Sequence, residues 1–348
     1  MKVKTLEEIQ DEFQKRWVPK EDWVVSAEDI RFEGNNTLVT GNERLKLTDH
    51  ALTQFIGRLR TLADLPASVM TTRYIKSCPT ASKEFQINSW IDHYYNNEDN
   101  DDKKWKLRKN KGSNVVEAIV SKGYTAFDNN DLLDMLWAQY GDMKFNEFYV
   151  DNNRMELRYV RPDLKRGEDK SAVMAGWHLS NDEIGSGSIR AGFLIYQLVC
   201  TNGMMGIRDY DDVYRQRHYG NFGSEDIRKD FAAAIGDFDE NKAVENLERF
   251  TAMQGLDIDE DVDDVYQGVL QNFPKIGSDI VEIAKDNIAE YDRKLNKFSL
   301  ISSLTEAIRD TRYGHRRVEA ERNVGKLFGT KEITLKRGDE TLKIQLEG

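Results

Sequence analysis

The stretch that most constrains this chain runs from Gly176 to Met205, GWHLSNDEIGSGSIRAGFLIYQLVCTNGMM. In its first arm Trp177 and Leu179 alternate with His178 and Ser180. In its second arm Ile189, Ala191, Phe193, Ile195, Gln197 and Val199 form one face, and Arg190, Gly192, Leu194, Tyr196, Leu198 and Cys200 the other. Period-two alternation defines a strand, and a run apolar on both faces except at its ends belongs in a sheet interior. Between the arms, Asn181, Asp182, Gly185 and Gly187 tolerate turn dihedrals, which predicts a long hairpin over 173–200. Thr201-Asn202-Gly203 ends the second strand abruptly.

Further hairpins are predicted from Ile30–Phe32 with Thr37–Val39, from Trp105-x-Leu107 with Val116-x-Ala118-x-Val120, and from Phe145–Val150 with Arg154–Val160. Residues 161–171 read as a loop. Helices are predicted where Leu6, Ile9 and Phe13 recur, where Thr48-Asp49 caps Leu52, Phe55, Ile56 and Leu59, over Ile87–Tyr95, and after Asp128. From Ser224 to Arg322 the pattern is helical, with caps at Ser224, Asp237, Ser278 and Thr305. The ending alternates as a hairpin around Gly338-Asp339. The predicted class is α+β: a central antiparallel sheet of hairpins flanked by helices (1–222), a helical region (223–328) and a terminal hairpin (329–348). A lone hairpin is marginally stable, so this last one is expected to pair with the body's sheet or with a neighbouring subunit.

Composition enters mainly by exclusion. A chain of 348 residues with 39% hydrophobic and 32% charged residues can bury a core and does not read as disordered. It has no apolar run of the roughly 20 residues a membrane helix needs, and MKVKTLEEIQDEF carries no apolar signal segment. Cys78 and Cys200 are far apart and form no metal-ligand spacing, so two free thiols in a cytoplasmic protein are expected. The net charge of −11 argues against a uniformly basic surface. Thirteen acids against four bases between Asp226 and Asp264 account for −9 of it, leaving −2 for the rest of the chain.

Motifs for covalent chemistry are absent. Gly185-Ser186-Gly187-Ser188 lacks the lysine and strand–helix context of a phosphate loop, the histidines show no zinc spacing, and Asp257–Asp264 lacks the glycine and terminal glutamate of a calcium loop. No cofactor, metal or catalytic residue is predicted, although Asp209, Asp211 and Asp212 beside His218 leave a magnesium-dependent nuclease open. Two basic clusters carry the binding hypothesis. In Lys103, Lys104, Trp105, Lys106, Arg108 and Lys109, lysines would neutralise phosphates and the indole would stack on a base; alternatively, Trp105 belongs to a core. In Arg208, Arg215, Arg217 and His218, with Tyr210, Tyr214 and Tyr219 interleaved, the same chemistry recurs, diluted by the neighbouring aspartates. Arg309, Arg312 and Arg316 would share a helix face, which reads first as solvated charge.

Several blocks occur in a suggestive order. They are Leu107-Arg108; Val116-x-Ala118-x-Val120-Ser121-x-x-Tyr124; Phe127-Asp128-Asn129-x-Asp131-Leu132-Leu133; Gly176-x-x-x-Ser180-Asn181-x-Glu183-x-Gly185; and Ile195 through Met204. With Arg217-His218 and Thr305-Glu306-Ala307, they resemble the phage/plasmid-like proteins called domain of unknown function 932, over roughly residues 45–325. The resemblance implies a mobile-element context in a host cytoplasm and no reaction. Antiparallel strands followed by a helix are also similar in topology to single-strand annealing proteins, an analogy that does not fix function. The expected partner is nucleic acid, single-stranded DNA foremost, bound without covalent chemistry and compatibly with a homo-oligomer. The alternative is a host protein engaged through the acidic helical part.

Overall fold

The computed structural model describes residues 4–26, 29–62, 72–96, 104–141, 143–166, 172–197, 203–205, 213–219, 223–236, 240–290, 293–309 and 315–346. Strand β1 (Lys4–Thr5) leads into α1 (Leu6–Gln14), where the Thr5 hydroxyl accepts from the Glu8 amide and the Glu8 carboxylate accepts from the Thr5 amide. This reciprocal cap fixes the helix start and turns Leu6, Ile9 and Phe13 inward.

A first sheet follows, built from β2 (Lys20–Ser26), β3 (Ile30–Glu33), β4 (Thr37–Thr40) and β5 (Glu43–Leu47). After helices α2 (Asp49–Leu62), α3 (Thr72–Ser77) and α4 (Thr80–Asn96) it is completed by β6 (Lys104–Asn110) and β7 (Val115–Val120). The order is β2-β6-β7-β5-β4-β3, antiparallel except for the short β5–β7 pair. Asn35 and Asn36, at φ 61° and 59°, make the β3–β4 turn, since asparagine tolerates the left-handed region that a tight hairpin demands. The Thr48 hydroxyl accepts from the Ala51 amide at the start of α2, which lays Leu52, Phe55, Ile56 and Leu59 on the sheet.

Helix α5 (Asn129–Tyr140) precedes the larger sheet, made by β8 (Lys144–Val150), β9 (Arg154–Arg166), β10 (Val173–Asp182), β11 (Ile189–Gln197), β12 (Gly203–Met205) and β13 (Tyr214–Gln216). Its order is β1-β8-β9-β10-β11, and β12 and β13 share the outer side of β11. The second arm of the central hairpin is thus an interior strand over 189–197; residues 198–200 lie outside the described residues. Residues 161–166, expected in a loop, continue β9 instead, because Lys165 and Arg166 find backbone partners in Met174 and Val173. At Gly176 a Cβ would stand 2.0 Å from the Tyr159 carbonyl oxygen, so the register shift between β9 and β10 there needs glycine.

The C-terminal part comprises α6 (Ser224–Gly236), α7 (Glu240–Ala252), α8 (Val262–Asn272), α9 (Ser278–Glu290), α10 (Lys297–Arg309) and α11 (His315–Phe328). It does not form one body. Ile227, Phe231 and Ile235 of α6 join α1 and α5 over Leu157, Trp177, Leu179, Ile189 and Ala191. Helices α7–α11 form a second core with Val173, Ala175, Phe193 and Ile195, further along the same sheet face. On the opposite face, Val318 of α11 meets Val160, Met174, Leu194 and Tyr196. Thr305, expected as a cap, lies inside α10, where its hydroxyl donates to the Ile301 carbonyl. The terminal hairpin, β14 (Glu332–Arg337) and β15 (Glu340–Gln345), pairs only with itself among the described residues. It packs on α8, where Gly268 lets Ile333 and Ile344 approach to 3.1 and 3.3 Å of where a Cβ would be. Burial of four aliphatic side chains, hydrogen bonds of Gln271 and Asn272 with the β14 backbone and the Arg337–Asp264 pair hold it, and not extension of the body's sheet.

Candidate nucleic-acid interface

The Lys103–Lys109 cluster does not form an open binding strip. Lys103 lies outside the described residues, and Lys104 is exposed. Trp105 is only 2% exposed, with its ring centroid 5.1 Å from that of Phe55, so it belongs to the core and cannot stack on a base. The reason is parity: in β6, Trp105 and Leu107 share the face covered by α2. Lys106 Nζ lies 3.0 Å from Asp22 and donates to the Tyr124 carbonyl at 2.9 Å. Lys109 pairs with Glu21 at 3.1 Å and lies over the Trp23 ring. The acids of β2, next to β6 in the sheet, neutralise this run, which a linear reading of residues 103–111 does not show.

Arg108 is the furthest from its expected role. It is 1% exposed, and its guanidinium donates to Asp22 at 2.8 Å, to Asp128 and to the Glu183 carbonyl at 2.6 Å. Burial opposes its charge, but Tyr124, Asp128 and Asp22 around it raise its pKa further. The Tyr124 hydroxyl donates to the same Glu183 carbonyl at 2.6 Å. The Glu183 carboxylate accepts from Trp17 Nε1 at 2.9 Å and from the Asn129 amide at 2.6 Å, and lies 3.8 Å from Lys20 Nζ. Burial, helped by Asp128, pushes Glu183 up to about 8, and burial lowers Lys20. The Asn181 side chain donates to the Phe127 carbonyl at 2.9 Å. Arg108, Tyr124, Asp128, Asn129, Asn181 and Glu183 therefore form the buried joint between the two sheets.

Beside this joint opens a pocket of about 460 Å³. Gln54 of α2, the end of β7 through Ser121, Tyr124, the 185–188 turn, Arg190 of β11 and residues 215–219 line it. Among the described residues, Arg190, Arg215 and Arg217 are its charged side chains, and no acid lines it. The Gly185–Ser188 turn is no open phosphate cradle: Asp182 accepts from the Ile184 amide at 3.1 Å, from the Ser186 amide at 3.3 Å and from the Ser186 hydroxyl. At the rim Tyr219 is 64% exposed, and its backbone bridges to that of Tyr124.

His218 forms part of the wall, its ring stacked on Tyr124 with centroids 5.3 Å apart. Nδ1 lies 3.2 Å from the Thr125 carbonyl oxygen, which can only accept. Burial lowers the pKa of the ring to about 4, so at neutral pH the single proton sits on Nδ1 and Nε2 is an acceptor. Nε2 is shielded from solvent and has no hydrogen-bond partner among the described residues. Of the second predicted cluster, the fold thus brings Arg215, Arg217 and His218 together. Tyr214 packs edge-on against Phe231 at 5.3 Å, and Arg208 with Asp209, Asp211 and Asp212 lies outside the described residues. Tyr219, one of the tyrosines expected beside these bases, lines the pocket, whereas Arg190 and Gln54 were not expected at a site. An arginine on an otherwise apolar strand was the available signal for Arg190.

The remaining charge clusters are largely paired. Arg316 binds Asp279, and Arg317, 8% exposed, lies 3.0 Å from Glu321; Arg309 and Arg312 are not described as side chains. In the acidic part, Asp263 pairs with Lys285, Asp257 with Lys294 and Asp264 with Arg337. No group of acids, histidines and cysteines suited to a metal occurs among the described residues, and no helix among them is long and apolar enough to cross a membrane. Comparison with family models, with curated proteins and with solved structures finds no match to the chain.

Proposed function

We propose that this protein binds single-stranded nucleic acid, single-stranded DNA foremost, through the pocket at the joint of its two sheets, as a non-covalent accessory of replication or recombination in a mobile element. One observation carries the reading: in a chain of net charge −11, three arginines line one pocket that no acid lines among the described residues, with an exposed tyrosine ring at its rim. Guanidiniums bind phosphate oxygens through paired N–H donors, and an exposed aromatic ring accepts any base by stacking. The motif order that resembles the phage/plasmid-like family supports the mobile-element context. The host-protein alternative draws on the acidic helices, and their internal ion pairs reduce the charge left for a partner.

The test is fluorescence anisotropy of a labelled single strand of about 40 nucleotides, titrated from low salt upward. Each phosphate contact on a single strand contributes about 0.7 to the slope of log affinity against log salt. Replacing Arg215 and Arg217 by glutamine should weaken binding on every sequence and flatten the slope by about 1.4. Replacing Lys104 and Lys109 should leave it nearly unchanged. Wild-type protein that shifts no oligonucleotide at low salt overturns the proposal.

A further inference from the structure

We infer that the outer edge of β2 docks a second copy of this chain, the two β2 strands pairing antiparallel about a two-fold axis at Trp23. This surface is independent of the pocket and of strand binding. Main-chain parity is the first ground. β2 ends the first sheet, with β6 as its neighbour. The Lys111 amide donates to the Pro19 carbonyl at 2.7 Å, so in the continuous register of this pair Glu21, Trp23 and Val25 direct their backbone groups at β6. Those of Asp22 and Val24 point outward, and nothing pairs with them among the described residues. Both residues are exposed, Val24 by 55%. The Asp22 carboxylate is turned onto Lys106 and Arg108, so its main chain is what meets solvent.

Open strand edges invite pairing, and proteins ordinarily guard them. This chain does so elsewhere. On β3 the Phe32 amide donates to Asn88 Oδ1 and the Phe32 carbonyl accepts from Asn88 Nδ2, both at 2.8 Å. On β14, Gln271 takes up the amide and carbonyl of Lys336 at 2.9 and 3.1 Å, and Asn272 donates to the Thr334 carbonyl at 2.7 Å. β15 carries Lys343 in mid-strand, and β1, β12 and β13 at the margins of the large sheet have only two or three residues. The outward positions Asp22 and Val24 of β2 carry no such guard: the first is neutralised and the second is a bare valine. A second copy fits this edge. With Trp23 opposite its counterpart, Asp22 faces Val24 of the partner subunit in both halves, and all the open amides and carbonyls of these residues pair. The two Trp23 rings then form a non-hydrogen-bonded pair, the closer kind, where aromatic contact adds to the main-chain bonds. Charge does not oppose the approach, since Glu21 pairs with Lys109 at 3.1 Å and Asp22 with Lys106 at 3.0 Å. An unrelated peptide would use the same main chain but has no fixed residue to set against Trp23; the two-fold axis supplies one.

The experiment follows the mass of the full chain by sedimentation from low to high concentration, for the wild type and for Val24→Pro. Proline there removes an outward N–H and no bond to β6, so the strand keeps its place in its own sheet. The wild type should pass from monomer to dimer, and Val24→Pro should stay monomeric with unchanged circular dichroism. Trp23→Cys should give a disulfide-linked dimer on mild oxidation that the wild type does not give, because Cα atoms in such a pair stand about 4.5 Å apart, within disulfide reach. Glu21→Cys, which would face Val25 of the partner subunit, should not. If Trp23→Cys does not fold, hydrogen exchange of the wild type stands in: the Asp22 and Val24 amides should be protected at high concentration and exchange freely on dilution. A wild type that is monomeric at every concentration overturns the inference, as does a dimer that Val24→Pro leaves intact.

Discussion

At the residue scale, neighbours across the sheet decide what each side chain does. Trp105 fills the first core, so Trp105→Ala should cost about 3–5 kcal/mol, read as a lowered melting temperature, with no separate loss of nucleic-acid affinity in the fraction that stays folded. A loss of binding without loss of stability would return this ring to the interface. His218 gives a pH signature. Its pKa is depressed to about 4 in the fold from an unfolded value of 6.5, so the unfolded chain binds the extra proton first on acidification. The stabilisation is therefore complete above pH 6.5 and is lost as pH falls toward 4, by up to about 3 kcal/mol. Glu183, pushed up to about 8, acts with the opposite sign: its contribution is present below the unfolded value of 4.5 and is lost as pH rises through 8. The difference between wild type and His218→Phe isolates the histidine, and denaturant melts at pH 7 and pH 4.5 should show the gap between them closing or reversing at the lower pH. A gap independent of pH would show that the ring is not held neutral.

At the scale of elements, the terminal hairpin has a definite seat. Ile333, Leu335, Ile344 and Leu346 are all at most 2% exposed, and Gly268 of α8 makes room for two of them. Gly268→Leu should force these side chains apart and cost about 1–3 kcal/mol, and removing 331–348 should lower the melting temperature further. Neither change should alter the oligomeric state, because the hairpin's apolar face is already covered by its own chain. A truncated protein that melts as the wild type does, or that loses an oligomer, would contradict this placement. Helix α11 performs the matching task on the far face of the large sheet. Its Glu321 receives Arg158, while Arg158 also donates to Glu147 at 2.8 Å. Burial opposes ionisation of Glu156 beside them, but His178 and Arg154 overcome it and hold its pKa low. This strand face can carry charge in the interior because the neighbouring strands and α11 together supply the counter-charges.

At the scale of the molecule, two sheets meet at a buried joint, and the arginine pocket opens next to it. Its walls come from residues as far apart in sequence as Gln54 and Tyr219, so the pocket exists only when both sheets are formed. Nucleic-acid affinity should therefore fall with global unfolding in a single transition, and anisotropy and circular dichroism should report the same midpoint. A binding signal that survives loss of the large sheet would place the interface elsewhere.

What the chain determined locally is whatever depends on period and turn chemistry. The interior strand 189–197, the asparagine turn of β3–β4, the caps at Thr5 and Thr48 and the closing hairpin all follow from neighbours within a few residues. The roles of charged and aromatic side chains do not, since those depend on which strand lies beside them. Lys106, Arg108 and Lys109 look like one basic strip until Glu21 and Asp22 are laid alongside in β2. The resemblance blocks around Arg108, Tyr124, Asp128 and Glu183 gave no hint that they meet, because their contacts span up to 75 positions. Arg215, Arg217 and His218 were visible as a basic cluster, but Arg190 joins them only through the pairing of β11 with β13. Propensity acts over one turn of chain, whereas a binding pocket is a property of long-range packing, and that packing alone decided which arginines share a cavity.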